Sequence, residues 1–274
     1  MKNVDIFRAP PAAFYFNAVP LELHGHKKKL LFIWNCVEQF RCANGLQPDQ
    51  IRILEVGCSN GRNIATPLAE CGYRVTGIDL HRPSIQYADS HNPFRNARFL
   101  CQDLSELPED EHFEIIVLSD VLEHVPDPES LCTTAIRYLA KGGLVLISIP
   151  NGFGPYENEQ RIIRLFRLNP LIDYARAGFN ALLGRRTEGR AYNYESGHIQ
   201  FFRLKDFELL LGRVGLNILR CSNGALFGGT LSYTLQKLVP FIVAPSLRLA
   251  DWLPRRWVST WYFCCSSCVD VDNR

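Results

Sequence analysis

Glu55 runs directly into Val56-Gly57-Cys58-Ser59-Asn60-Gly61, an acid set beside a turn bracketed by two glycines. Gly57 permits a sharp bend, and Gly61 lets backbone approach a ligand with no Cβ in the way. Asp79 follows 22 residues after Gly57. A carboxylate at the end of a second strand can accept both hydroxyls of a ribose. Gln102-Asp103 comes after a third strand, where a carboxylate can hydrogen-bond an exocyclic adenine amine. Two histidines stand further on. His124 lies in Ser119-Asp120-Val121-Leu122-Glu123-His124-Val125, and His198 in Gly197-His198-Ile199-Gln200-Phe201-Phe202. Histidine changes charge near neutrality, which suits a general base.

These groups need elements that hold them together. Short apolar runs at 51–56, 74–78, 97–101, 113–118 and 144–149 read as strands. Amphipathic stretches at 60–69, 83–90 and 128–139 read as helices between them. Asp127 is placed to cap the last of these helices, and Lys141-Gly142-Gly143 makes a turn. Strand–helix alternation at this spacing implies an α/β fold, a parallel sheet with helices on both faces. In such a sheet ligands bind beyond the C-terminal strand ends, where the winding reverses. Residues 1–20 read as irregular, broken by Pro10, Pro11 and Pro20. Residues 21–43 read as a helix, with Lys27-Lys28-Lys29 as a solvated face. A helix at 204–214 and strands at 216–221 and 257–264 complete the chain.

A dinucleotide-binding fold also has a glycine turn and a downstream acid, but its spacing is Gly-x-Gly-x-x-Gly. Here the spacing is Gly-x-x-x-Gly and an acid stands just before the turn. The set resembles the class I S-adenosylmethionine-dependent methyltransferases over roughly residues 50–150. Leu122-Glu123-His124-Val125 resembles the branch that includes the ubiquinone-biosynthesis O-methyltransferases, whose members often carry a later segment like that around His198. The resemblance implies a Rossmann-like, doubly wound sheet of seven strands, mostly parallel with the last antiparallel, and S-adenosylmethionine as cofactor. Glu55 inherits a place near the methionine end of the cofactor. Gly57, Cys58, Ser59 and Gly61 line it, Asp79 and Leu80 take the ribose side, Asp103 and Leu104 lie near adenine, and Ser119 completes the set. Ser59 stands where the family has its middle glycine, which a small residue tolerates at negative φ.

Methyl transfer to oxygen needs in-line approach and removal of a proton, so His124 and His198 are the candidate catalytic bases. Some relatives hold a divalent ion on an acid-x-x-Glu-His turn plus a later histidine, and Asp120, Glu123, His124 and His198 reproduce that set. Many relatives with the same turn hold no metal, and the sequence commits to none.

The chain has 274 residues, 47% of them hydrophobic, with a net charge of +2. That balance gives no global field for nucleic acid. The expected organisation is one methyltransferase domain over 1–274. It comprises an N-terminal helical extension (1–48), a cofactor-binding core (49–150), an arginine-rich helical insertion (151–198) and an apolar helical insertion (225–257). Over residues 154–190 of the first insertion seven arginines face four acids, and arginine forks suit phosphate or carboxylate. The second is apolar and ends in Pro254-Arg255-Arg256-Trp257, the composition of an element that lies at a membrane surface. The acceptor expected is a small or lipid-linked metabolite, such as a quinone precursor or a glycan or lipid intermediate. An RNA methyltransferase and a non-catalytic scaffold are the alternatives. No apolar h-region stands at the start and no run is long enough to span a bilayer. The ten cysteines therefore read as reduced thiols of a cytoplasmic protein, with peripheral membrane contact through 225–257. Cys264, Cys265 and Cys268 lack the second ligand pair of a zinc site.

Overall fold

Alternating strands and helices build one seven-stranded sheet in the computed structural model, which describes residues 13–20, 25–168, 197–229 and 239–268 with positions 170, 172, 174, 232 and 236. The strands are β1 (Arg52–Val56), β2 (Arg74–Ile78), β3 (Ala97–Leu100), β4 (Phe113–Ser119), β5 (Leu139–Pro150), β6 (Leu216–Asn223) and β7 (Thr260–Ser267). Their spatial order is β3-β2-β1-β4-β5-β7-β6. β1 to β5 pair in parallel, and β7 runs antiparallel to both β5 and β6. This is the sheet the resemblance implies. The winding reverses between β1 and β4, so the turn after β1 sits at the switch point where such sheets bind ligands.

Each face of the sheet has its own core. One face packs against α1 (Phe14–Ala18), α2 (His26–Ala43), α3 (Ala65–Glu70) and α4 (Arg82–His91), through Phe16, Leu30, Leu68 and Ile85. The other packs against α5 (Pro128–Arg137) and α7 (Leu204–Arg213), through Cys132, Ile136, Phe207 and Leu211. Two further helices, α6 (Pro155–Leu165) and α8 (Val243–Trp252), lie within 151–198 and 225–257. The period-2 alternation of the strands sends Ile53 and Val75 to the first core, and Leu54 and Ile78 to the second.

Several local expectations change. Residues 14–18 form a short helix where the sequence reads as irregular. The first crossover helix starts at Ala65 rather than Asn60, because the chain spends Asn60 to Ile64 in turns. The 141–143 turn interrupts the β4–β5 pairing rather than preceding the strand: Phe113 pairs with Leu139 and Ile115 with Leu144, with Gly142 at φ 73° between. The last strand begins at Thr260. Of the arginine-rich insertion, Arg176, Arg185, Arg186 and Arg190 lie outside the described residues.

The lysine run is not a solvated face. Lys28 and Lys29 are 1% and 5% exposed. The Lys28 ammonium donates to the carbonyls of Gly224 and Leu247, each at 3.0 Å, and to Asp251 at 2.7 Å. It thereby ties α2 to β6 and α8. All ten cysteines are free thiols, with Cys42 and Cys268 exposed. Cys264 and Cys265 join opposite cores, so they do not converge on an ion.

Asp127 caps α5 as expected, accepting the Ser130 N–H at 2.9 Å. Asp127→Ala is expected to cost about 1 kcal/mol, read from the midpoint of denaturant unfolding.

Candidate active site

The turn after β1 is held by backbone. The N–H groups of Gly57 and Cys58 both donate to the Ile78 carbonyl, at 2.9 and 3.0 Å, and Gly61 N–H closes on Cys58 O. Three residues here have left-handed φ: Gly57 at 71°, Ser59 at 50° and Gly61 at 68°. Ser59 therefore does what the sequence reading excluded, holding the middle position at positive φ. The conformation is costly for a residue with a Cβ, and Asp79 steadies it by accepting the Ser59 N–H at 2.8 Å. Gly61 also acts differently from the expectation. A Cβ there would lie 2.5 Å from the Phe99 ring, so the glycine makes room for a core side chain. Cys58 is buried and lies against Gly77. The crossover helix α3 is short and begins four residues after Gly61, so its N-terminus does not adjoin this turn.

Two buried polar atoms in this turn have no hydrogen-bond partner, Glu55 Oε2 and Ser59 Oγ. Burial pushes the Glu55 carboxyl up to about 8, against the pull of the nearby Lys29 ammonium. Asp79 accepts Ser59 N–H through one oxygen and His81 N–H, at 2.8 Å, through the other. Each oxygen keeps a further acceptor position. Leu80 beside it is 72% exposed. Asp103 caps the 3-10 turn Leu104–Glu106, accepting both the N–H and hydroxyl of Ser105. Those bonds hold its carboxyl below the usual range. Leu104 is buried in the second core. Glu55, Ser59 and Asp79 thus share one rim at the ends of β1 and β2, and the orphaned oxygens fit a polar, cationic group.

β4 ends in a second cluster. Ser119 Oγ meets Ser148 Oγ at 3.0 Å, and Ser148 donates to Asp120 Oδ1 at 2.7 Å. Asp120 is itself left-handed, at φ 52°. Its other oxygen is bonded by the Lys29 ammonium. Burial works to raise the Asp120 carboxyl, but Lys29 and Ser148 prevail and bring it to about 2. Sequence reading missed Lys29, because helical spacing alone does not show which face of α2 meets the sheet.

The 3-10 turn Leu122–His124 follows. Glu123 is 1% exposed, and its Oε2 has no partner. Burial first, and then the Asp120 charge, push its carboxyl well up. The Glu123 carbonyl accepts the N–H groups of Ile199 and Gln200, which draws the 197–200 segment onto the turn. The rings of His124 and His198 stand 4.9 Å apart, edge to face. His124 Nδ1 lies 3.2 Å from the Gly197 carbonyl, and His198 Nδ1 lies 2.5 Å from Glu157 Oε1 on α6. Burial lowers the His124 pKa. Ligand atoms of Glu123, His124 and His198 lie within 4.8 Å of one another. Of the four sequence candidates, Asp120 is turned away to Lys29, and Glu157 takes a place nothing in the sequence marked.

Lys29 links the two clusters, since its charge acts on Glu55, Asp120 and Glu123 alike. Lys29→Met is expected to cost about 2 kcal/mol. That is less than a fully buried pair, because the Asp120 side chain is 36% exposed and solvent screens it. Lys29→Met combined with Asp120→Asn is expected to recover most of the loss. Additive losses in urea unfolding would contradict a direct pairing.

The sequence profile of the methyltransferase-domain family matches residues 37–220. Ubiquinone biosynthesis O-methyltransferase of Coxiella burnetii (strain Dugway 5J108-111) is 34% identical over 102 residues, 36% of this chain and 43% of that protein. The same-named protein of Rickettsia akari (strain Hartford) is 30% identical over 104 residues, 37% of this chain and 41% of that one. The matched stretch thus spans about two fifths of these relatives' lengths. An S-adenosylmethionine-dependent methyltransferase from Clostridium acetobutylicum shares the fold with a TM-score of 0.54 at 14% identity, covering 88% of this chain and 91% of that chain. The plantazolicin methyltransferase BpumL, solved with S-adenosylhomocysteine (SAH), gives 0.51 at 17% identity, covering 88% and 84%.

Proposed function

The chain belongs to the methyltransferase-domain family, and we propose that it moves a methyl group from S-adenosylmethionine to a hydroxyl oxygen of a small or lipid-linked acceptor. The observation that carries this reading is the pair of orphaned buried oxygens, Glu55 Oε2 and Ser59 Oγ, beside the free acceptor positions of Asp79.

S-adenosylmethionine supplies an electrophilic methyl on a sulfonium. The chain does the rest. Glu55 accepts hydrogen bonds from the ammonium of the methionine part, and Asp79 takes the ribose hydroxyls. His124 or His198 receives the acceptor's proton as the oxygen–methyl bond forms and the carbon–sulfur bond breaks. Glu157 orients His198 through Nδ1 and leaves Nε2 for the acceptor. The test is calorimetric titration with S-adenosylmethionine and SAH, followed by labelled-methyl transfer to catechols. Binding in the range of about 1 μM to 1 mM is expected. Absence of binding would favour a scaffold, and labelling of RNA alone the nucleic-acid alternative.

The close set of Glu123, His124 and His198, with Glu123 Oε2 unpartnered, also fits a divalent cation. Such an ion would supply Lewis-acid character toward an acceptor diol. Metal content of the purified chain, and thermal upshift with Mg²⁺, Mn²⁺ or Zn²⁺, tests this. No metal and no shift would leave the histidines as bases alone.

The lipid-linked acceptor draws support from α8. Val243, Leu247 and Ala250 bury one side of it, while Phe241, Leu249 and Trp252 are 80%, 51% and 88% exposed. Arg256 lies over the half-exposed Trp257 ring. Among the described residues no helix is long and apolar enough to cross a membrane, so the contact proposed is peripheral. Flotation with anionic liposomes is expected, and is expected to fail in Phe241→Ser/Trp252→Ser. If the intact chain does not float, the contact is excluded.

A further inference from the structure

The end of the sheet away from the cofactor turn carries an unusual row of charge. On one face of β3, β2 and β1, the residues nearest the N-terminal strand ends are Arg98, Arg74 and Arg52. Further along the strands, the same face carries Leu100, Ile78 and Leu54, which belong to or pack against the second core. Arg52 and Arg74 are register partners on adjacent strands. Like charges directly opposite destabilise a sheet, so this arrangement calls for negative charge nearby.

The chain supplies only part of it. Glu114 takes Arg52, at 2.7 Å, and Glu111 takes Arg98, at 2.5 Å. Thr76 accepts a further bond from Arg98 and fixes its direction. Among the described residues, the side chains of Arg74 and Arg95 have no ion pair and no hydrogen bond. Arg74 lies between two other cations.

The face is open because the link from β3 to β4 carries a single 3-10 turn, Leu104–Glu106, instead of a crossover helix. What remains is a cleft of about 630 Å³ lined by Arg52, Arg74, Arg95, Arg98, Glu111 and His112 among others. That volume is in the range of small-molecule sites. It suits a compact ligand rather than an extended polymer. Charge sets the class: planar guanidinium forks match phosphate oxygens bidentately.

We propose that this cleft binds a small polyanion carrying two or more linked phosphate groups, held by Arg74 and Arg95 with Arg52 and Arg98 at its flanks. β1 has five residues, so the cleft lies about 13 Å from the cofactor turn along the strand. The two sites fill independently, and this inference does not rest on the methyl-transfer reading.

Inorganic tripolyphosphate is the probe, titrated calorimetrically into the full chain at low salt with orthophosphate as comparison. Tripolyphosphate is expected to bind, and orthophosphate at least about tenfold more weakly. Arg74→Gln/Arg95→Gln is expected to weaken tripolyphosphate about tenfold or more, with an unchanged melting curve. Glu111→Gln removes the acid that occupies Arg98 and is expected to tighten binding severalfold, a gain that misfolding cannot mimic. Affinity should fall as salt rises. No binding overturns the proposal. So does equal affinity for the two anions, which marks an adventitious ion only. Binding unaltered in both variants, or binding of nucleic acid but not of tripolyphosphate, overturns it as well.

Discussion

Replacing His198 by alanine is expected to slow methyl transfer about 100-fold to 1000-fold, the range for losing a positioned acid–base group, while S-adenosylmethionine binds as before. The expectation rests on where the ring stands. His198 meets His124 edge to face, its Nδ1 is taken by Glu157, and its Nε2 faces the Glu123 carboxyl at 4.0 Å. The cofactor-side groups, Glu55, Ser59 and Asp79, make none of these contacts. Removing the imidazole also leaves Glu157, 2% exposed, without its partner, so a stability loss of about 1–3 kcal/mol accompanies the change. Glu157→Gln separates the two effects. The amide keeps a hydrogen bond to His198 but loses the charge that orients the ring. That variant is expected to stay folded and to lose about tenfold in kcat. Single-turnover kinetics under saturating cofactor reads the chemical step directly. A His198→Ala chain that transfers methyl at the original rate would sink the assignment and leave His124 to be tested alone.

The sequence made the turn after β1 and the strand ends beside it legible because its signals are local. Glu55 adjoins the turn by one residue, Gly57 and Gly61 bracket it, and Asp79 ends the next strand. Parallel pairing then brings strand ends together with no further information needed. The acceptor side was legible only in part. His124 and His198 are 74 residues apart, and they meet because the Glu123 carbonyl binds the Ile199 and Gln200 amides, a backbone contact that no side-chain pattern announces. Lys29 and Glu157 were missed for a related reason. Each is a charged residue on a helix, where composition points to solvent. Lys29 is buried because α2 packs into the first core, with Asp120 in a left-handed conformation pairing with it. Ser59 shows the reverse case. The sequence puts it in the turn after β1, but its φ had to be seen, since serine by itself argues against the conformation it holds. Arg52, Arg74 and Arg98 were invisible as a group because only strand register aligns them.

Glu55→Gln is expected to change both stability and cofactor affinity, in opposite senses and only above mildly acidic pH. The Glu55 carboxyl is raised by burial from the ordinary 4.5 to about 8. Between those values the folded ligand-free chain holds a proton that the unfolded chain has released. Stability from this group is therefore full below about pH 4.5, falls as pH rises through the window, and is gone above about 8. A difference of this size corresponds to several kcal/mol, on the order of 5. Glutamine has no charge to bury. At pH 5 the variant and the parent should melt almost alike, and at pH 8.5 the ligand-free variant should be the more stable. Cofactor binding runs the other way. An ionised Glu55 gains a charge-assisted partner when an ammonium arrives, so parental affinity should rise with pH up to about 8. The variant's affinity should stay flat across the same range. It should also be weaker at pH 8 by about 10- to 100-fold, the worth of one hydrogen bond to a charged group. Thermal melts and calorimetry at pH 5, 7 and 8.5 resolve the two trends. Parallel affinity profiles for parent and variant would remove Glu55 from the cofactor site, whatever the melts show. A variant that binds weakly yet melts higher at pH 8.5 would mean that the buried charge is kept for the ligand, at the expense of the empty fold.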